Sequence, residues 1–289
     1  MVSIIVVTIG SNGHIYSCLE SIRKQVDQET ETIVIDNSLE ENASYCSALN
    51  KGIRLSKGSF ILCINDDVIL DSNFISEALN GFNVDVRIGM VSGKILRIKT
   101  DIIDSSGLFL SCMRTAKERG YGKNDLGQFG KPGHIFGVNG AVAFYRREML
   151  EDIKQGLDYF DSDFRFFYED LDIAWRAQNR GWKAYYVPTA IAYHARGGTA
   201  RKKEGVGRSF GRFYISDDLQ FELIKNRYLA IIKNDTLLGL LLHLPFIFIY
   251  SLAELGFLLL FRQKVIPKLL NLPRFIKSAL RKRIAAKRI

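Results

Sequence analysis

The sequence holds four cysteines in 289 residues, Cys18, Cys46, Cys63 and Cys112, and they are scattered with no C-x-x-C pair. That spacing excludes a disulfide scaffold and argues against a zinc site; Cys18 and Cys63 lie in apolar patterns and read as reduced core thiols. A basic leader is also missing. Met1 runs straight into an apolar stretch, so no secretory signal is expected, and the sequon matches Asn42-Ala-Ser44 and Asn234-Asp-Thr236 are read as chance. Neither G-x-G-x-x-G nor G-x-x-x-x-G-K-[ST] follows the first apolar run, which disfavours a nicotinamide enzyme and a P-loop NTPase. Acids are absent from residues 262–289, which hold ten Lys and Arg. The formal charge of +9 therefore leaves −1 for residues 1–261. A near-neutral body lacks the clustered cations of a nucleic-acid groove, so no nucleic-acid partner is expected.

With 47% hydrophobic residues the chain can bury one large core or two modest ones. The organising stretch is Ser59-Phe-Ile-Leu-Cys-Ile-Asn-Asp-Asp67, a short apolar run ending in two acids. Phe60 to Ile64 reads as a strand buried on both faces. Carboxylates at its exit are costly unless a positive group sits against them, and a divalent cation carrying a phosphorylated substrate meets that need. The plainer reading is a turn capping a helix at about 72–81. Upstream, Val2 to Val7 and Thr32 to Ile35 read as strands. Ile15, Cys18, Leu19, Ile22 and Val26 recur at helical spacing, and a second helix is expected at about 41–55. The order β-α-β-α-β implies parallel strands with right-handed crossovers. Thr8, Asp36, Asp66 and Asp67 then share the carboxyl edge of one sheet, where ligands bind in such folds.

The segments Val-Ser-Ile-Ile-Val-Val-Thr (2–8), Cys-Leu-Glu-Ser-Ile (18–22), Ile-Val-Ile-Asp-Asn-Ser (33–38), Asn50-x-Gly52 and Asn65-Asp66-Asp67 resemble the nucleotide-binding half of family-2 glycosyltransferases. The resemblance covers about residues 2–200. It implies the GT-A fold, a nucleoside diphosphate sugar donor, and a divalent cation, Mn²⁺ or Mg²⁺, held by a variant D-x-D motif. By that match Thr8 and Asp36 contact the donor, Asp36 through its pyrimidine base. Asp66 lies near the ribose or sugar, and Asp67 ligates the metal. Two departures stand out: Thr8-Ile9-Gly10 replaces the family's T-Y-N, and Asn65 replaces the first acid, a position that then hydrogen-bonds.

Residues 82–135 say less. Ile88 to Val91 suggests a strand, and 113–134, rich in Gly, Lys and Arg, reads as a long mobile loop. Phe136 to Glu148, with Asn139-Gly140, resembles the family's strand before the acceptor site, and assigns both residues to substrate binding. Phe166-Phe-Tyr-Glu169-Asp170-Leu-Asp172 opens a helix. Three acids there complement a helix dipole, yet the aromatic run would desolvate Asp170. The segment resembles the family's E-D-x-D element, which makes Asp170 the general base, with Glu169 holding the loop and Asp172 the helix start. His194, followed by Gly197, resembles the H-x-x-G element whose histidine completes the metal site; by residue type alone a structural histidine is the commoner case. Residues 196–212 carry Arg196, Arg201, Lys202, Lys203, Arg208 and Arg212, a cationic lid over the diphosphate or a solvated loop.

Residues 237–261 are strongly apolar, about 37 Å long as a helix, but interrupted by His243, Pro245 and Glu254. A crossing would leave the basic tail on the wrong side, so one or two interfacial helices bent at Pro245 are expected, followed by an amphipathic segment with Val265, Leu269, Leu272, Ile276 and Leu280 on one face. The alternative is a helix pair packed on the body or forming a homodimer. The expected architecture is an α/β, GT-A-type Rossmann-like mixed sheet flanked by helices. Residues 1–215 form the catalytic domain (1–100 for nucleotide, 101–215 for acceptor), and 216–289 form apolar and amphipathic helices on an anionic membrane surface, at the cytoplasmic face. The whole-chain pattern resembles rhamnosyltransferase-type members, which use dTDP-rhamnose on lipid-linked glycans; a UDP-sugar donor stays open, as does a non-catalytic membrane-bound nucleotide-sugar binder. A sugar-phosphate nucleotidyltransferase would need a glycine-rich loop with Arg and Lys, which Gly10-Ser-Asn-Gly13 does not supply.

Overall fold

The computed structural model describes residues 1–8, 10, 14–26, 29–38, 44–195 and 211–286. Strands β1 (Val2–Thr8), β2 (Thr30–Asp36) and β3 (Phe60–Asn65) alternate with helices α1 (Ile15–Arg23) and α2 (Tyr45–Leu55). β1 pairs in parallel with both β2 and β3, as the crossover order requires. Successive side chains point to opposite faces. Ile5, Val7, Ile61 and Cys63 join Leu49 and Ile53 of α2 in one core; Ile4, Val6, Leu62 and Ile64 join Cys18 and Ile22 of α1 in another. Gly52 lets α2 lie on β1, since a Cβ there would sit 2.5 Å from Ile5 Cγ2.

The chain turns at Asp66-Asp67 into β4 (Val68–Leu70), then α3 (Phe74–Phe82) and β5 (Ile88–Arg97). The two acids therefore precede a strand, and the helix-capping reading does not hold. There follow β6 (Ile103–Ser105), β7 (Leu108–Leu110), β8 (Ala116–Glu118), β9 (Gly133–Ile135), β10 (Val142–Arg146), α4 (Arg147–Ile153), α5 (Glu169–Asn179) and β11 (Lys183–His194). The main sheet runs β2-β1-β3-β10-β5-β11-β4, with β6 beside β5 and β9 beside β11. β10 enters antiparallel to β3 and β5, which makes the sheet mixed. The expected long loop at 113–134 is instead tied down. Its β8 forms a hairpin with β7. Arg114 grips Asp235 through two bonds of 2.7 and 3.1 Å, and Arg227 donates to the Met113 carbonyl.

The C-terminal part consists of α6 (Asp217–Asn234), α7 (Leu237–Phe261), a 3-10 segment Gln263–Asn271, and α8 (Leu272–Ala286). α6, within the segment 216–289 expected to be helical although no apolar periodicity singled it out, is capped by Ser216, whose hydroxyl accepts from the Leu219 amide. It buries an unusual set of polar residues: Gln220, Lys225, Asn226, Arg227, Lys233 and Asn234. Burial of Asn234 removes it as a sequon; Asn42 lies outside the described residues. Of the one or two helices expected here, there is one: α7 runs through Pro245 without a break. It buries Ile247, Glu254 and Leu258 at helical spacing and leaves most of its leucines and phenylalanines exposed. α8 rests on the body, with Ala279 in the main core, Lys282 paired to Asp161 and Asp163, and Leu280 pointing outward.

Candidate active site

Asp67 and His194 meet because β4, which starts just after Asp67, pairs antiparallel with the end of β11, placing His194 opposite Val68. His194 Nε2 lies 3.2 Å from Asp67 Oδ1, and Nδ1 lies 2.9 Å from Asp104 Oδ2. Burial works against charge on this imidazole, but the hydrogen bonds and charges of Asp104 and Asp67 outweigh it and lift its pKa to about 9. A carboxylate behind the distal nitrogen is the usual orienting partner of a metal-binding histidine. A divalent cation can take the place of the proton between Nε2 and Asp67. Among the described residues no cluster of three or more His, Cys, Asp or Glu side chains is arranged to hold a metal. A cation there would complete its shell with substrate phosphates and water, the usual habit of Mg²⁺ and of similar hard cations. The donor set fits.

Asp66, also buried, accepts from the Thr8 hydroxyl at 2.6 Å. Asn65 Oδ1 accepts from the Tyr45 hydroxyl at 2.8 Å, in keeping with a hydrogen-bonding role at that position. Asp36 stands exposed at the end of β2. The Ser38 hydroxyl and amide both donate to its Oδ1, at 2.6 and 2.9 Å, and hold its pKa below the ordinary value.

A second group of acids lies where β10 begins. The Gly140 amide donates to Asp170 Oδ2 at 3.2 Å and the Leu171 amide to Asp170 Oδ1 at 2.7 Å. Burial raises the pKa of Asp170, and the Leu171 and Gly140 amides pull against it. Glu169 is raised as well, by burial first and then by Asp170. Its Oε2 finds no hydrogen-bond partner among the described residues. Backbone donors favour the ionised form of a carboxyl, and Asp170 draws them from both Gly140 and Leu171. Gly140 sits against both: a Cβ there would meet Glu169 Oε1 at 3.2 Å and Asp170 Oδ2 at 3.5 Å. Asn139 donates from Nδ2 to Glu118 Oε1 at 2.6 Å and accepts the Ala141 amide at 2.8 Å.

Asp172 does more than start a helix. It is bonded to Arg176, Lys233 and Asn234; against burial, the charges of Lys233 and Arg176, with the Asn234 amide, keep it ionised. Two site residues went unnoticed in the sequence, Asp104 and Glu118. Asp104 is fully buried beneath His194. Glu118, held by Ser105 and Asn139, is pushed up to about 8 by burial and then by Asp170. Both lie in short strands without marked periodicity, and no local signal separates them from other acids of the region. Ile9, Gly13 and the segment 196–210, with Arg196, Gly197, Gly198, Arg201, Lys202, Lys203 and Arg208, lie outside the described residues.

The family model described as Glycosyltransferase like family 2 matches residues 1–210. Poly-beta-1,6-N-acetyl-D-glucosamine synthase from Staphylococcus aureus is 22% identical over 196 residues, covering 66% of this chain and 42% of that protein. The chain thus spans about two fifths of the length of the curated relatives it matches. Among solved structures, GalNAc-T7 with UDP, GalNAc and Mn²⁺ aligns at TM-score 0.58 and 14% identity, over 80% of this chain and 47% of that one. The mannosyltransferase PcManGT from Pyrobaculum calidifontis, with GDP-Man and Mn²⁺, aligns at 0.51 and 13%, over 99% and 73%. These likenesses show the GT-A fold.

The His194 environment can be read directly. With a raised folded pKa, the stabilisation from its partners is complete below about 6.5 and is lost as pH climbs through about 9. In chelator-treated protein, the NMR titration of His194 should centre near pH 9, and Asp104→Asn should lower it. A midpoint that stays in place in the variant would remove Asp104 as the orienting group.

Proposed function

The chain belongs to glycosyltransferase-like family 2, and from that premise we propose an inverting, metal-dependent transfer of a sugar from a nucleoside diphosphate donor to a hydroxyl of a glycan or lipid-linked acceptor. The observation that carries the reading is the Asp67–His194 contact backed by Asp104, set beside the Gly140–Asp170 contact on one edge of the sheet. Asp67 and His194 would hold Mn²⁺ or Mg²⁺, which when bound offsets charge on the departing diphosphate. The Mn²⁺ bound with nucleotide in the GalNAc-T7 and PcManGT structures supports that choice.

Asp170 accepts the acceptor proton as the acceptor oxygen bonds to the anomeric carbon and the bond from that carbon to the diphosphate oxygen breaks. Its raised pKa brings the base nearer neutral pH, where proton transfer is more effective. One carboxylate base without a second acting as nucleophile fits single displacement, hence inversion. Asp66 and Thr8 line the donor side; Asn139 and Gly140, with Glu169, shape the space beside the base. Asp36 can accept from N3–H of thymine or uracil alike. Asp36 does not choose between the two bases; the whole-chain resemblance to rhamnosyltransferase-type members favours dTDP-rhamnose as the donor, with a UDP-sugar as the second reading.

Residues 1–215 are proposed as the catalytic domain and 216–289 as the membrane-associating region, at the cytoplasmic face. α7 is long and apolar enough to cross a bilayer, with 22% of its most apolar window buried. Its exposed apolar side chains stand near a tail that presents Lys264, Arg274, Lys277 and Arg281 to solvent. Four cations near an anionic surface contribute roughly 4 kcal/mol, weakened by salt. Apolar burial plus headgroup attraction suits a helix lying in the interface.

Three outcomes are expected. Asp67→Ala should keep the fold and lose Mn²⁺-dependent binding of nucleoside diphosphates in calorimetry; unchanged metal-dependent affinity would sink the metal assignment. Asp170→Asn should lower turnover by roughly 10²–10⁴ while donor binding persists, and full activity in that variant would move the base elsewhere or, with no turnover in wild type, favour a non-catalytic binder. The full chain should sediment with phosphatidylglycerol vesicles far more than with phosphatidylcholine ones, and salt should reduce the difference; equal partition would contradict the electrostatic part.

A further inference from the structure

The chain enters α5 through Phe166, Phe167 and Tyr168, and both Phe167 and Tyr168 have φ of +68°. Left-handed backbone is strained for non-glycine residues and persists only where the surroundings enforce it. Here two in succession immediately precede Glu169 and Asp170. Tyr168, at the N-cap position, makes no side-chain capping bond. The restraint comes from α6. Asn226 Nδ2 donates to the carbonyls of Phe166 and Phe167, at 2.7 and 2.8 Å. Next to it, Lys225 donates to the Asp163 carbonyl at 2.7 Å. Asn226 is wholly buried, and its Oδ1 finds no hydrogen-bond partner among the described residues. A buried amide left half unsatisfied is costly, so what holds it in this place is its donor half.

We propose that Asn226 is a positioning residue for the base: its amide ties down the strained turn 166–168, and the turn sets where Asp170 meets the Gly140 and Leu171 amides. Asn226 touches no reacting atom and acts through the backbone of the turn. The inference rests on the reading of Asp170 as general base, and reaches into a helix that lies beyond the matched residues 1–210. Asn226→Asp has the same shape but sets an oxygen against two carbonyl oxygens. Asn226→Ser keeps one donor in a smaller side chain, and serves where the aspartate variant does not fold.

The full-length protein is examined by hydrogen–deuterium exchange and by release of nucleoside diphosphate from dTDP-rhamnose or a UDP-hexose with Mn²⁺, with Asp170→Asn as control. The variants should exchange about tenfold or more faster at Gly140 and Leu171, with exchange in 173–179 and the melting temperature near wild type. Turnover should fall by roughly 10–100-fold, the scale of an ångström-level misplacement, at unchanged nucleotide affinity. The acid limb of the pH profile, set by Asp170 with Glu169 and Glu118 beside it, should shift to lower pH as the loosened base hydrates. Unchanged exchange at Gly140 and Leu171 would overturn the proposal even if neither donor is turned over. So would a loss of turnover accompanied by uniformly faster exchange and a lower melting temperature, which marks a merely structural role. Full activity in Asp170→Asn would instead overturn the base assignment and leave the exchange result to judge the restraint.

Discussion

Carboxylates drawn together at one end of a buried sheet repel each other and lose their water, and the other features of this site follow from how that strain is met. Asp66, Asp67, Asp104, Glu118, Glu169 and Asp170 are gathered around the ends of β3, β10 and β11. Hydroxyl and amide donors answer part of the charge, at Asp66 from Thr8 and at Asp170 from two backbone amides. Protons answer another part, since Glu118 and Glu169 are both raised by burial and by Asp170. His194 stands between Asp67 and Asp104 with a raised pKa, carrying a proton where a metal would sit. A divalent cation brought with a diphosphate is the remaining counter-charge, which makes metal and donor binding mutually dependent.

The C-terminal helices also brace the loop that leads into α5. Lys233 joins Asp161 to Asp172, Lys282 reaches Asp161 from α8, and Arg176 closes the set from within α5. Removing one partner of such a buried network costs about 3–5 kcal/mol. These bonds fix the aromatic loop from both sides, with Asn50 of α2 gripping the Tyr159 and Phe160 amides from the sheet side. α7 packs less deeply: it buries Ile247, Glu254 and Leu258, while its Tyr250 accepts from Arg212 and its Ser251 from Arg227 and Tyr228. Its apolar side chains face outward, and α6 beside it holds the loop that leads into α5.

Local pattern carried much of this. Continuous apolar runs in Val2–Val7 and Phe60–Ile64 marked two-sided burial, and the crossover order implied their parallel pairing. The acids after β3, His194 and the E-D-x-D element were visible as residue types in a known arrangement. The rest depends on distant partners. Asp104 matters because its strand pairs with β5 beside β11, and Glu118 because the β7–β8 hairpin folds back over Asn139. α6 was illegible because it buries lysine, arginine and asparagine, whose partners lie some 60 residues away or more, so its periodicity carries little apolar contrast. Helix count was also open: one or two helices were expected around Pro245, and α7 is a single helix that continues through it.

The central claim is that Asp67 and His194 together hold a divalent cation on a nucleoside diphosphate. The most direct test is a crystal structure of the full chain grown with Mn²⁺ and UDP or dTDP, with anomalous data at the manganese edge. The account predicts one anomalous peak between Asp67 and His194 Nε2, shared with diphosphate oxygens, and the nucleotide along the carboxyl edge of β1 and β3. A bound nucleotide with no manganese at that position, or with the manganese held by other side chains, would contradict it.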